Sequence, residues 1–383
     1  MSHLVRQEIM SAAELVVVKV GTRVLTHPDG TLDKDRVANI AGQLAELWRS
    51  GKKCVLVSSG AVAAGLGRMG LKTRPTDLAH LQAAAAIGQS HLIETYNRAL
   101  EPHKLHAAQI LLTADDLKDR SRYLNIRNTL FALFESNAVP IINENDTVST
   151  EELKLSLGDN DKLAALVTNL IRASLLILLS DVEGVYSGDP SDPNSRVLPI
   201  ITDLVAAREQ LVHDDPKRPG IKLSTGGMAS KLNAAWIATS AGENVVIASG
   251  RRENVLADIL AGKDIGTLFI AEGPSLDSRK RWIGWGAISA GKLSLDVGAC
   301  RAIATGGRSL LAVGVADVTG NFVKGDVISL CDNTGREFAR GLSNYSADEM
   351  RIIAGQPTER IAELLGHRPY DEVVHRNNLI VLG

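Results

Sequence analysis

Six short polar segments, each beside an apolar run, hold the residues able to do chemistry. They are VVVKVGT (16–22), SSGAVAAG (58–65), INENDTV (142–148), GDND (158–161), LLSDVEGVY (178–186) and TGGMASK (225–231). They combine glycine turns, two lysines and a series of Asp, Asn and Ser groups, with no Cys–His cluster and no Ser-His-Asp order. Such a set suits phosphoryl transfer, in which a protein mainly positions charge and neutralises it.

Lys19 ends an apolar run, and Gly21 follows two residues later. An ammonium group there can meet phosphate oxygens as a compact point charge, and Gly21 lets the backbone approach a phosphate closely. The alternative is a lysine that snorkels to solvent from a strand end. No GxxxxGK[ST] occurs, so the chain has no P-loop. SSGAVAAG follows CVLVS and opens a helix, where Ser59 and Gly60 would present backbone N–H groups to an anion. An ordinary serine cap with glycine packing explains the same residues. TGGMASK is a second glycine-rich helix start, and its Lys231 reaches back towards the strand ends. Ser180 and Asp181, closing LLILLS, put a hydroxyl and an acceptor where a nucleotide's base or ribose could rest.

Asn143, Asn145, Asp146, Asp159, Asn160 and Asp161 form a dense polar group between apolar strands and an apolar helix. They could bind the amine and carboxylates of an amino acid, or position the lysines. A cap from Asp159 or Asn160 would account for one of them, not six. Arg127 shares a helical stripe with Leu124, Phe131 and Phe134, so it must be paired or reach a ligand; a structural ion pair is expected. The loop VHDDPKRPGIKLS (212–224) is charged and rich in Pro and Gly, and either a lid or a solvated loop fits it.

These residues need a scaffold that brings them to one edge. Strands are expected at 15–20, 53–58, 107–112, 139–143, 175–179 and 244–248, mostly continuous Val, Ile and Leu, as in strands covered on both faces. Helices are expected between them at 35–50, 79–100, 122–136, 162–173 and 230–241. This alternation implies an α/β fold: a parallel-rich open sheet sandwiched by helices, with ligands at the carboxyl ends of the strands. Residues 271–286 read as a connector whose Trp282 and Trp285 pack between domains. Short alternating runs separated by Gly turns then predict a small β-rich domain. Helices at 347–355 and 359–365 and a last strand near 372–375 complete it.

The bulk composition sets limits on function. A chain of 383 residues, 45% hydrophobic and 22% charged, allows two domains. A net charge of −2 gives no electrostatic argument for a nucleic acid or an anionic membrane as partner. Cys54, Cys300 and Cys331, odd in number and far apart, read as reduced thiols, with Cys54 buried. No apolar run is long enough for a membrane helix, and MSHLVRQEIMSAAE lacks the apolar stretch of a signal peptide. A cytoplasmic protein is expected.

In order and spacing, the six segments resemble the amino acid kinase family, and the resemblance runs from about residue 15 to 375. Within that family the chain is similar to members that carry a C-terminal PUA domain, a small β-barrel module common in RNA-modifying enzymes. The resemblance implies an N-terminal extension (1–14), a kinase domain (15–270), a linker (271–286), a PUA-like domain (287–368) and a tail (369–383). It implies ATP-dependent phosphorylation of the side-chain carboxylate of L-glutamate to glutamyl 5-phosphate, the first step of proline biosynthesis. Lys19 and Lys231 would stabilise the transferring phosphoryl group and Asp161 would orient both. Ser59, Gly60, Asp146 and Asn160 would bind glutamate, supported by Asn143 and Asp159. Lys19, Gly21, Ser180, Asp181, Thr225, Gly226, Gly227, Met228, Ala229, Ser230 and Lys231 would hold ATP. Many relatives have Thr where Ser180 stands.

Mg²⁺ would arrive with ATP, without a dedicated metal site. The resemblance also implies a homo-oligomer (dimer or tetramer), feedback inhibition by proline, and channelling to glutamyl phosphate reductase. Competing alternatives are a related kinase with another acceptor, such as aspartate, N-acetylglutamate or a nucleoside monophosphate, and an RNA-binding protein. Residues 287–368 contain nine Lys or Arg and nine Asp or Glu, which counts against RNA.

Overall fold

Apolar runs without polar interruption become the central strands of the first of two compact units. The computed structural model describes residues 2–71, 73–148, 159–204, 207, 227–271 and 278–382. One unit comprises Met1–Asp116 with Tyr123–Ser275, the other Leu117–Arg122 with Leu276–Gly383.

The strands of the first unit are β1 (Leu15–Val20), β2 (Lys53–Ser58), β3 (His106–Leu112), β4 (Ala138–Glu144), β5 (Leu175–Ser180), β6 (Ile200–Ile201), β7 (Asn244–Ser249) and β8 (Thr267–Phe269). They form one sheet in the order β3-β4-β2-β1-β5-β7-β8-β6. From β3 to β7 all pairs are parallel, and β8 then turns antiparallel to β7. The six anticipated strands are present, with ends displaced by at most one residue. β6 and β8 escape sequence reading because two or three residues carry no period.

Val16, Val18, Leu56, Ile141, Ile177 and Val246 share one core with Val37, Ile40 and Leu44 of the Lys34–Arg49 helix and with Leu92 and Tyr96 of the Leu78–Leu100 helix. Their alternating neighbours Val17, Val55, Val57, Ile142, Leu176 and Leu178 are equally buried, on the opposite face. Cys54 lies in the first core, takes a hydrogen bond from Trp48 Nε1 at 3.1 Å, and has its thiol pKa pushed up to about 12 by burial.

Two local expectations differ from the structure. Residues 1–14 were expected as an extension, yet Ser2–Ala12 is a helix with Met10 in the core. Its Arg6 is fully buried and donates to Ile265 O (2.8 Å) and Pro199 O (2.7 Å). A lone Arg in a polar terminus gave no sign of these distant carbonyl partners. On the Arg120–Glu135 helix the buried stripe is Tyr123, Leu130 and Phe134, whereas Leu124 is exposed. Arg127 falls on that stripe by spacing, one residue out of step with the one anticipated.

The second unit holds β9 (Gly291–Leu295), β10 (Val315–Gly320), β11 (Val327–Cys331), β12 (Glu337–Leu342) and β13 (Leu379–Val381), in the order β10-β9-β11-β12-β13. Only the β9–β11 pair is parallel. Leu293, Leu330, Phe322, Tyr345 and Met350 centre its core. The Ala347–Ile353 helix starts from a capping box of Ser346 and Glu349.

Residues 369–383, expected as a tail, supply the edge strand β13. The strand anticipated near 372–375 is reduced to a single bridge between Val374 and Leu310. Trp282 and Trp285, expected between domains, pack partly buried against Ile283, Val327, Ile380 and Leu382 within this unit. Residues 272–277 of the anticipated connector lie outside the described residues. All three cysteines are free, and among the described residues no helix is long and apolar enough to cross a membrane.

Candidate active site

In a parallel sheet every strand delivers its carboxyl end to the same edge, so residues distant in sequence meet there. β1 delivers Lys19, β2 is followed by Ser59 and Gly60, β4 carries Asn143, and β5 ends at Ser180. Three helices begin among them: Ala61–Arg68, Asp159–Ile171 and Met228–Thr239. Their first-turn N–H groups lack partners within the helix, which favours negative charge at this edge.

Asp161 lies at the centre, 1% exposed. Its Oδ1 is 2.5 Å from Lys19 Nζ and its Oδ2 is 3.2 Å from Lys231 Nζ. Lys231 also donates to Gly227 O at 3.2 Å. Lys19 is itself only 5% exposed, so it does not snorkel. Burial alone would raise the Asp161 pKa, but the two ammonium groups outweigh it and hold the carboxyl below the ordinary carboxylate range. Burial lowers the pKa of Lys231, with Asp161 restoring part of the shift and Lys19 adding to it. One carboxylate for two ammonium groups leaves a surplus positive charge in a buried place, and that surplus calls for an anion. A Cβ on Gly21 would lie 3.8 Å from Lys19 Nζ, so glycine leaves the ammonium uncovered.

A chain of amides runs from this centre. Asn160 Nδ2 donates to Ser59 Oγ and to Asn143 Oδ1, each at 3.0 Å. Asn143 Nδ2 donates to Gln89 Oε1 at 2.8 Å. Asn160 therefore does not cap its helix; its side chain ties three elements together. Asn160 Oδ1 and Gln89 Nε2 are buried without a partner among the described residues. A buried polar atom left so costs about 1–3 kcal/mol, which a ligand could recover.

Gln89 was not anticipated. It lies between Ala85 and Leu92 on the buried stripe of the Leu78–Leu100 helix, so helical period alone would have placed this amide inside. Asp146 is buried in the turn after β4. Asn145 is held by its N–H donating to Leu112 O at the end of β3 and by its side chain accepting from Thr147 in its own turn.

Two glycine contacts hold this geometry. Gly60 caps the Ala61–Arg68 helix at φ +103°, a conformation other residues rarely adopt. Where that helix crosses Leu78–Leu100, Gly65 and Gly88 let the two backbones touch. A Cβ on Gly65 would lie 1.8 Å from Ala84 O, and one on Gly88 1.8 Å from Ala61 O.

On the side of β5, Ser180 Oγ donates to Asp181 Oδ1 at 3.1 Å, and Asp181 pairs with Arg23 at 3.1 Å. Arg23, in the short Thr22–Leu25 helix that Gly21 caps, was also missed, because a lone Arg there gives no local signal. Burial pushes the Asp181 pKa up, and Arg23 with Ser180 more than offsets this, leaving it lowered. Asp181 also acts on Lys231 electrostatically, which sets this corner near the charged centre.

Gly227 caps the helix whose first turn is Met228, Ala229, Ser230 and Lys231. Thr225, Gly226, the side chain of Asp159 and the loop 212–224 lie outside the described residues. Arg127 has no ion pair among the described residues; its guanidinium lies 4.9 Å from the centroid of the Phe131 ring. No described contact joins it to the cluster.

With this geometry in place, similarity to known proteins can be set beside it. The sequence profile of the Amino acid kinase family matches residues 14–249, and that of the PUA domain matches residues 291–365. The glutamate 5-kinase of Rhodopirellula baltica is 48% identical over 98% of this chain and 96% of its own length. Those of Moorella thermoacetica (45%, 98% of each chain) and Pelobacter propionicus (43%, 98% of this chain and 100% of the other) are similar throughout as well.

Proposed function

The chain belongs to the amino acid kinase family, with a PUA domain appended, and on that premise we infer that it phosphorylates the side-chain carboxylate of L-glutamate with ATP. Its relatives at 43–48% identity are glutamate 5-kinases over their whole length, so other acceptors and an RNA-binding role are not favoured. The observation that carries the chemistry is the buried Lys19–Asp161–Lys231 arrangement, with its one unbalanced positive charge.

The glutamate γ-carboxylate is ionised at neutral pH and needs no general base. It attacks the γ-phosphorus of ATP in line; the new O–P bond forms as the bond to the β,γ-bridging oxygen breaks, giving glutamyl 5-phosphate and ADP. Lys19 and Lys231 meet the charge spread over the transferring group, and Asp161 holds them apart and oriented. Ser59, Gly60, Asn143, Asp146, Asp159 and Asn160 hold glutamate. Gly21, Ser180, Asp181 and the 225–231 segment hold ATP.

Among the described residues no three His, Cys, Asp or Glu side chains gather as a metal site, and Asp161 has ammonium groups on both oxygens. Mg²⁺ would arrive with the nucleotide's phosphates and supply neutralising charge there. In this account the protein is a cytoplasmic homo-oligomer, dimer or tetramer. Proline restrains it, and its labile product passes to glutamyl phosphate reductase.

The test is formation of glutamyl hydroxamate from L-glutamate, ATP, Mg²⁺ and hydroxylamine, which traps an acyl phosphate. Hydroxamate dependent on all of these is expected. Hydroxamate only with aspartate or N-acetylglutamate would move the substrate, and none with any acceptor would end the kinase account.

A pH dependence follows from Lys231. Its pKa lies below the ordinary 10.5, and transfer needs the ammonium form. As pH rises the free enzyme loses this proton earlier than a free lysine would, so kcat/KM for ATP should fall on an alkaline limb that begins below 10.5. A kcat/KM profile flat up to that pH would show that the lysine does not act as a cation.

A further inference from the structure

The amide nitrogen of Gln89 is buried at the site and has no task in the account above. Gln89 is 8% exposed, and its Nε2 has no partner among the described residues. Resting on the glutamate-kinase reading, we propose that Gln89 is a specificity-determining residue whose Nε2 donates to the α-carboxylate of glutamate.

The orientation of the amide follows from hydrogen-bond direction, beginning at the backbone. The Glu144 N–H can only donate, and it donates to Asn143 at 2.9 Å, so that atom of Asn143 is the oxygen. The other terminal atom of Asn143 is then NH₂, and its contact with Gln89 at 2.8 Å requires Gln89 to present its oxygen. Gln89 Nε2 is thereby left as a free donor.

Asn143 Oδ1 accepts from Asn160 Nδ2 at 3.0 Å, which leaves Asn160 Oδ1 as a free acceptor. One backbone N–H thus orients three side-chain amides, with an unpaired donor at one end and an unpaired acceptor at the other.

The α-carbon of an amino acid carries the complementary pair: a carboxylate that accepts and an ammonium that donates. Position agrees with this assignment. Asp161, which holds the two lysines, directly follows Asn160, whereas Gln89 lies two amide links away. The donor therefore sits towards the end of the substrate remote from the reacting carboxylate. Asn160 Oδ1 takes the ammonium and Gln89 Nε2 the α-carboxylate.

Gln89→Glu separates this role from a structural one. Glutamate keeps the volume and the oxygen that accepts from Asn143, while an anionic oxygen replaces the donor. The KM for L-glutamate should rise at least about tenfold, the loss expected for a hydrogen bond to a charged group. The KM for ATP should hold, while the unpaired buried carboxylate lowers the melting temperature on its own account. Gln89→Met, which adds no charge and removes both the donor and the oxygen that accepts from Asn143, should raise the glutamate KM in the same sense and carries the test if Gln89→Glu does not fold.

Further, 4-aminobutyrate, which lacks the α-carboxylate, should lose less to either variant than glutamate does. A glutamate KM within about threefold of wild type in a folded variant overturns the proposal. So does a fall in kcat together with a rise in the ATP KM as large as that in the glutamate KM. Failure of the kinase reading would look different, since wild type itself would then form no hydroxamate from glutamate.

Discussion

Lys231→Ala is expected to lower kcat at least about a hundredfold, as loss of one preorganised group facing transition-state charge does elsewhere. The reason is the charge balance at Asp161. With both lysines present the trio carries a net positive charge; without Lys231 the Lys19–Asp161 pair, 2.5 Å apart, is neutral and no longer attracts the transferring phosphoryl group. Folding should survive, because Asp161 keeps Lys19 and is not left as an uncompensated buried charge. The loss should fall on kcat more than on the KM for glutamate, whose proposed contacts lie along the amide chain. Steady-state rates at saturating ATP and glutamate, with a melting curve, check this. A kcat within about threefold of wild type would take Lys231 out of the transfer step.

Gly88→Ala should act on both fold and function from outside the charged centre. The new Cβ would stand 1.8 Å from Ala61 O and 2.3 Å from Gly65 N, both backbone atoms that no rotamer change can move. The Ala61–Arg68 and Leu78–Leu100 helices must part, at a cost of about 3 kcal/mol, towards the upper end for overpacking. Ser59 and Gly60 immediately precede one helix, and Gln89 immediately follows Gly88 on the other. Separation would therefore pull the two sides of the glutamate site apart and raise the KM for glutamate. Urea unfolding and glutamate kinetics read the two effects. Wild-type values in both would mean that the crossing is softer than its backbone contacts imply.

The contacts that matter most differ in how visible they are along the chain. Lys19, Asp161 and Lys231 stand out because each falls in one of the glycine- or amide-rich polar segments beside apolar runs. Which carboxylate meets which lysine is another matter, since Asp161 lies 142 residues from Lys19 and 70 from Lys231 in the numbering. Gln89 lies on the stripe that helical period marks as buried, but nothing along the chain says that its partner is Asn143, 54 residues away. Arg6 and Arg23 were hidden for a similar reason: their carbonyl and carboxylate partners, Pro199, Ile265 and Asp181, come from remote loops.

By itself the sequence determined the alternation of buried strands and helices, the parallel-rich sheet, the β-rich second region and the polar residues at the strand ends. Those features depend on local period and hydrophobicity, which a stretch of a few residues expresses whatever surrounds it. Only the tertiary structure decided that one carboxylate serves two lysines, that a backbone N–H orients a chain of three amides, and that two glycines set the spacing between their helices. It also turned the expected tail into an edge strand and the expected N-terminal extension into a packed helix. These outcomes depend on distances between segments far apart in the chain, and burial makes each of them consequential: water no longer satisfies the groups, so they must satisfy one another or a ligand.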